Sequence, residues 1–501
     1  MTIASTAAGK VQGLERNGVQ QFRGIRFATA KRFQPPQPVE PWHDVYDATT
    51  FGSILPQNPS GLESMLGKSD ATPMDEDALY LNVFTPSVDD RARPVLVWIH
   101  GGAFTAGAGS IPWYSGTNLA SRGDVVIVTI NYRLGAFGFL HLDTLLGAEF
   151  DGSGNCGIRD QVAAINWVRE NIASFGGDPT NITLFGESAG GMSIATLLGV
   201  PGVAGMIRNA IPQSGAADAV KDVDAASHVS AAMLSELGLR PASAEALLEL
   251  PVTQLLAAQE AVTQQLASTG ELRLPFSPVV DGVALPTHPL EAVRAGTAAN
   301  VRVLAGTTSD EFRLFSLMER AQGPMPEEKL NGRVASVVGP ERAADVIAAY
   351  REARPGVSAD DLWSDFATDW IFRIPAVRLL EAQSANQPDT YSYLFSYKST
   401  AFDGALGACH AIDVPFAFDN LDRRGVNVLL GDITEDTHAL ARATSQAWLA
   451  LARNGSPQHD EIPEWPRYSA TQRSVMELGT TRRVLDDPGS AERQLWASVL
   501  D

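Results

Sequence analysis

The chain has 501 residues, 45% of them apolar and 19% charged, a balance that fits a globular polypeptide with a large core and excludes a disordered one. Its 58 acidic and 38 basic side chains leave a formal charge of −20. Such a surface repels nucleic-acid phosphates and anionic bilayers, so neither a nucleic acid nor a membrane is expected as a partner. The segment Met1–Asn17 shows no basic start followed by an apolar run. No stretch approaches the roughly 20 apolar residues of a bilayer span, so the expected location is cytoplasmic. The two cysteines, Cys156 and Cys409, lie too far apart in sequence to suggest a disulfide framework or a zinc site.

Residues 94–99 (PVLVWI) and 125–130 (VVIVTI) are short, β-branched runs, apolar on both faces. Buried strands of a mostly parallel sheet have this texture. Residues 159–173 place Val162, Ile165, Val168 and Ile172 at helical spacing, and Gly176-Gly177-Asp178-Pro179 then breaks the chain. Residues 181–185 (NITLF) read as a further strand and 189–198 as a helix of small residues. This alternation predicts an α/β fold. Helical texture occupies about 220–275 and 320–385, with strand-like pieces at 301–305 (VRVLA) and 390–396 (TYSYLFS). The helical stretches are expected to be insertions that wall the site on a single sheet-based domain spanning residues 1–501.

The turn Gly186-Glu187-Ser188-Ala189-Gly190 fits G-x-S-x-G between a strand and a helix. A sharp turn there lifts Ser188 above the sheet, and glycines two positions either side remove clashes with strand and helix. Ser188 is the candidate nucleophile. A tetrahedral intermediate also needs N–H donors aimed at its oxygen. The loop His100-Gly101-Gly102-Ala103 after the first apolar run can supply them from Gly102 and Ala103, with Ala189 as a third donor. His100 reads as a structural side chain.

In this architecture the acid and then the histidine follow the serine. That order removes His43, His100 and His141. An acid in the loop after strand 301–305 is placed to reach the top of the sheet, and Asp310 and Glu311 both qualify. Of His410, His438 and His459, the first has small and apolar neighbours suited to a partly buried base; the other two sit in polar surroundings. The pocket candidates flank the loop or the acid: Phe104, Thr105, Trp113, Tyr114, Leu314 and Phe315. No cluster has metal-ligand spacing and no dinucleotide fingerprint is present, so neither metal nor cofactor is expected.

Taken together these residues resemble the type-B carboxylesterase family, most of all its bacterial para-nitrobenzyl esterases. Glu76 through Val83 is similar to the family's EDCLYLN segment. So are Asn131 through Phe139, Gly154 through Gln161, Phe175 through Pro179, Gln213-Ser214-Gly215, and Trp448 through Pro466 to their family counterparts. The likeness runs from about residue 9 to near 480. It implies an α/β-hydrolase fold: a central, mostly parallel sheet with helices on both faces and helical insertions around an active-site gorge. It assigns Ser188, Glu311 and His410 to a triad, Gly102, Ala103 and Ala189 to the oxyanion hole, and Glu187 and Ser214 to supporting roles. It also implies ion pairs Arg32–Glu76 and Arg133–Asp160. Ala78 stands where secreted relatives carry a disulfide cysteine, in keeping with a cytoplasmic protein. No tryptophan lies between Trp42 and Trp98, where cholinesterases bind choline, so cholinesterase activity is not expected.

The expected activity is hydrolysis of neutral, short-to-medium acyl or aryl esters by a monomer or weak homo-oligomer. An aryl carbamate or amide hydrolase with the same triad competes with it. A non-catalytic, cholinesterase-like binding protein is the remote alternative, at odds with a chain that keeps the serine, the acid and the histidine.

Overall fold

A computed structural model describes residues 1–61, 72–268, 274–320 and 323–500. The described residues form one sheet of thirteen strands. Its N-terminal flank is antiparallel: β1 (Thr2–Thr6), β2 (Gly9–Arg16), β3 (Val19–Arg26) and β5 (Tyr80–Thr85), with the short β4 (Tyr46–Asp47) beside β2. The centre comprises β6 (Arg93–Ile99), β7 (Val126–Ile130), β8 (Gly177–Glu187), β9 (Asn209–Gln213), β10 (Arg302–Thr308), β11 (Thr390–Phe395) and β12 (Ser474–Leu478). They run parallel in the spatial order β7-β6-β8-β9-β10-β11-β12. β13 (Arg482–Asp486) closes the far edge antiparallel to β12.

The unbroken apolar texture of the central strands follows from cover on both faces. Val95, Val97 and Ile99 of β6 belong to one core cluster, whereas Leu96 and Trp98 belong to another. Side chains alternate across a strand, so the two clusters lie on opposite faces of the sheet. A parallel sheet must bury both faces because its crossovers carry helices. Two of these are α1 (Cys156–Asn171) and α2 (Ala189–Leu197), the latter buried at every residue.

The strand expected at 181–185 is longer than its sequence suggested. Gly176 turns the chain with φ 79°, but β8 begins at once with Gly177, which pairs with Arg93 of β6. The turn residues and the strand start are therefore contiguous. In the first helix-rich stretch lie α3 (Val223–Glu236) and α4 (Val252–Ser268). Residues 269–273 and 321–322 of the two stretches fall outside the described residues. After α5 (Arg313–Arg320), the second stretch holds α6 (Glu327–Val338), α7 (Pro340–Ala353), α8 (Ala359–Thr368) and α9 (Ile374–Ser384). A single π-helical turn, Asp369–Arg373, joins α8 to α9. These helices have their own apolar cluster around Trp363 and Phe366, whereas the long α10 (Glu435–Asn454) packs into the cluster that holds Trp98. Trp496 completes the former from α11 (Ser490–Leu500).

The loops that leave the carboxyl ends of β6, β8, β10 and β11 converge on one side of the sheet. Open parallel sheets offer their binding crevice at that edge.

Candidate active site

Ser188 stands between β8 and α2 with φ 58° and ψ −126°. A side chain in such a conformation costs on the order of 1–3 kcal/mol and persists only where its surroundings impose it. The constraint is visible here. A Cβ on Gly186 would fall 2.5 Å from the Ile99 carbonyl oxygen, and one on Gly190 only 2.0 Å from it. The turn can therefore lie against β6 only because both residues are glycine. The Ser188 N–H donates to the Gln213 carbonyl at 2.9 Å, fixing the turn to β9.

The next loop to arrive follows β6. Gly102, Ala103 and Phe104 all have positive φ, of 105°, 53° and 60°. The N–H groups of Thr105 and Ala106 both donate to the Gly102 carbonyl, which curls the loop. Gly102 and Ala103 line the same cavity as Ser188, and Ala189 is the first residue of α2. A first-turn N–H has no partner inside its own helix, so it is available to a ligand oxygen. His100 is held away from the reaction centre. Its Nδ1 contacts the Gly101 carbonyl at 2.8 Å and its ring stacks on Tyr132.

Glu311 and His410 come from the loops after β10 and β11. His410 Nδ1 donates to Glu311 Oε2 at 2.6 Å, and both side chains are buried. The other carboxylate oxygen of Glu311 accepts from Ser214 Oγ at 2.6 Å and the Thr308 N–H at 2.7 Å. Asp310, its neighbour, turns outward to Lys398 and accepts from the Ala408 N–H. The geometry thus separates the two acids that the sequence left together. His438 is exposed, and His459 bonds the Ala443 carbonyl; neither lines the cavity.

The opposite edge of the imidazole faces a second carboxylate, with Glu187 Oε1 3.1 Å from His410 Nε2. Burial opposes protonation of His410, but Glu187 and Glu311 outweigh it and lift the pKa to about 9. Asp413, three residues on, is buried against the same cluster. Its Oδ2 accepts from Gln213 Nε2 and the Tyr393 hydroxyl, and burial pushes its pKa up to about 6. Phe315 and Phe372 rest on the His410 ring, with centroids at 5.2 and 4.7 Å.

These groups open into a cavity of ≈ 1180 Å³. Of the six pocket candidates, Thr105, Tyr114 and Phe315 line it. Phe104, Trp113 and Leu314 do not, and the expectation for them is corrected. Phe104 packs edge-on against Phe139 in the core. Trp113 is buried, with its Nε1 on the Arg424 carbonyl. Leu314 packs against the core cluster that holds Trp98. Proximity in sequence to the loop or the acid does not fix which way a side chain turns. Sequence reasoning missed Met192, Phe312, Trp370, Ile371 and Phe372, which complete the apolar wall. Met192 carried a usable signal, four residues after Ser188 on the same helical face. The residues from the π-turn carried none, since only tertiary packing brings them to the site.

Both implied ion pairs are present. Arg32 Nε donates to Glu76 Oε2 at 2.9 Å. Arg133 makes a two-pronged contact with the buried Asp160, at 2.8 and 2.7 Å.

Residues 1–496 match the model of the carboxylesterase family. The chain is 39% identical to a para-nitrobenzyl esterase of Bacillus subtilis, with 98% of each protein covered. It is 34% identical to a phenmedipham hydrolase of Pseudarthrobacter oxydans, with 95% of each covered. A crystal structure of the Geobacillus stearothermophilus carboxylesterase EST55 superposes with a TM-score of 0.88 at 39% identity, covering 99% of this chain and 100% of the other. None of the helices among the described residues is long and apolar enough to cross a membrane. The chain belongs to the carboxylesterase family, has the α/β-hydrolase fold, and is a carboxylic ester hydrolase.

Proposed function

We propose that the enzyme cleaves neutral, short-to-medium acyl or aryl esters through an acyl-enzyme on Ser188, with His410 as base and Glu311 as the acid that orients it. The observation that carries this reading is the 2.6 Å bond from His410 Nδ1 to a buried Glu311, which itself has two further donors, beside the cavity that holds Ser188. In the neutral ring that bond selects the tautomer with its lone pair on Nε2, the form a general base requires.

In this mechanism Ser188 Oγ attacks the ester carbonyl carbon and passes its proton to His410 Nε2. The carbonyl oxygen, now an oxyanion, is held by N–H groups of Gly102, Ala103 and Ala189. Collapse of the intermediate breaks the bond to the alkoxy oxygen, which takes the proton back from His410 as the alcohol departs. Water repeats the sequence and releases the acid. The apolar wall of Phe312, Phe315 and Phe372 favours uncharged acyl and aryl groups. The substrate is taken as a free small molecule, by a monomer or weak homo-oligomer built as one domain with helical insertions. A cytoplasmic setting belongs to the same reading; its support is that both cysteines are buried and free.

The likeness to a phenmedipham hydrolase favours aryl carbamates as a second substrate class, attacked by the same serine. Parallel kcat/KM measurements on a nitrophenyl ester series and a phenylcarbamate separate the two. Faster turnover of acetyl to hexanoyl esters is expected. Carbamate turnover above that of every ester would reverse the order.

A further inference from the structure

A second cavity, of ≈ 60 Å³, lies between α9, the strands β10 and β11, and the C-terminal segment that carries β12, β13 and α11. By the same measure one water needs roughly 10–15 Å³, so this space takes a few waters or one small ion. It is separate from the catalytic cavity, and its lining is unusual for a core. Three arginines, Arg373, Arg473 and Arg493, line it together with a single acidic residue, Asp487. Each arginine has an acidic neighbour: Asp369 at 2.7 Å, Glu381 at 2.7 Å and Asp487 at 2.6 Å.

Those pairs do not exhaust the donors. Arg373 Nη2 is a buried atom with no hydrogen-bond partner among the described residues. The Tyr468 hydroxyl is in the same position, on a residue only 3% exposed. Both residues line the cavity. A buried donor left unmade costs about 1–3 kcal/mol, so two beside one polar cavity call for an acceptor. The backbone is shaped to bring them there. Gly489 has φ 70°, and a Cβ on it would fall 1.8 Å from Arg373 Nη1, so the guanidinium occupies the place where any other residue would carry a side chain. Gly489 immediately precedes α11, whose first N–H groups add positive potential.

We propose that this cavity is a binding site for one small anion with two or more oxygen acceptors, held chiefly by the Tyr468 hydroxyl and Arg373 Nη2. The shared chemistry is that of an inorganic oxyanion or a short carboxylate. The cavity volume excludes anything as large as a nucleotide, and the guanidiniums disfavour a cation.

Isothermal calorimetry on the intact enzyme tests this, with inorganic phosphate, sulfate and acetate as probes against sodium chloride at equal ionic strength. Saturable one-to-one binding of at least one probe is expected, and which one binds tells oxyanion from carboxylate. Tyr468→Phe should weaken that binding at least about tenfold, the usual worth of a hydrogen bond to a charged group. Arg373→Gln should weaken it further. Because Arg373 also pairs with the buried Asp369, Tyr468→Phe carries the decision if the arginine variant does not fold. Absence of saturable binding by all three probes would overturn the proposal. Equal affinity in wild type and Tyr468→Phe would do so too.

Discussion

Glu187 Oε1 lies 3.1 Å from His410 Nε2, on the edge of the ring opposite Glu311. The residue just before the proposed nucleophile thus places a carboxylate where the proposed base must accept its proton. Burial disfavours the imidazolium, yet the two carboxylates outweigh it and raise the pKa to about 9. At neutral pH the free enzyme then holds His410 mainly protonated, and only the unprotonated minority can act as base. The expected kcat/KM profile climbs through neutral pH and levels near pH 9. Glu187→Gln removes one of the two charges, so its rising limb should move to lower pH. Superimposable limbs for the two proteins would contradict the account. Stability has the opposite trend. A folded-state pKa above the ordinary histidine value of 6.5 makes the imidazolium stabilising below that pH, and the gain is lost as pH rises through about 9.

Ser188→Ala addresses the nucleophile itself. Alanine takes the space of serine without the hydroxyl, so the fold should survive while no acyl-enzyme can form. Losses in triad enzymes support an expected fall in kcat of at least about 10⁴-fold with KM little changed. A nitrophenyl ester assay with active-site titration checks it, and a variant that keeps wild-type turnover would place the nucleophile elsewhere.

The proposed role of Ser214 is to act through Glu311. Its Oγ is one of two donors to Glu311 Oε1, the other being the Thr308 N–H. In Ser214→Ala a buried carboxylate loses one bond but keeps its histidine. Removing a hydrogen bond to a charged group costs roughly 1.5–3 kcal/mol. The expected result is a fall of about tenfold in kcat with a smaller change in KM. An effect on KM alone would assign Ser214 to substrate binding.

Much of this site was legible in the sequence because short-range rules govern its parts. The β-branched run 125–130 became β7 because both of its faces are covered, and the Gly-x-Ser-x-Gly turn fell between strand and helix as the pattern requires. The choice between Asp310 and Glu311 was not legible from spacing. Adjacent residues in a loop project differently, and only the folded loop shows one on His410 and the other on Lys398. Phe104 and Trp113 show the same limit: aromatic residues beside a catalytic loop turned into the core, where burial of a ring is favourable. Phe372 lies 184 positions from Ser188 in sequence yet shares its cavity, and no local pattern announces a contact made by the π-turn.

Gly190 offers a test of how tightly the turn is built. A Cβ at this position would stand 2.0 Å from the Ile99 carbonyl oxygen and 2.8 Å from its carbon. Both atoms belong to β6, which is hydrogen-bonded between β7 and β8 and cannot retreat without disturbing the sheet. Relief would have to come from α2, which starts at Ala189, and any shift of its first turn moves Ser188 and the Ala189 N–H together. Gly190→Ala should therefore cost more than about 3 kcal/mol, beyond the usual 1–3 kcal/mol of overpacking, and lower kcat in whatever fraction folds. Gly205 is the matched control: its added Cβ would meet nothing within 4 Å, so Gly205→Ala should stay within about 1 kcal/mol of wild type. Urea unfolding of the two variants beside the parent gives the comparison. Equal midpoints for Gly190→Ala and the parent would show that the turn can yield, and that Ser188 is not held in its strained conformation by contact with β6.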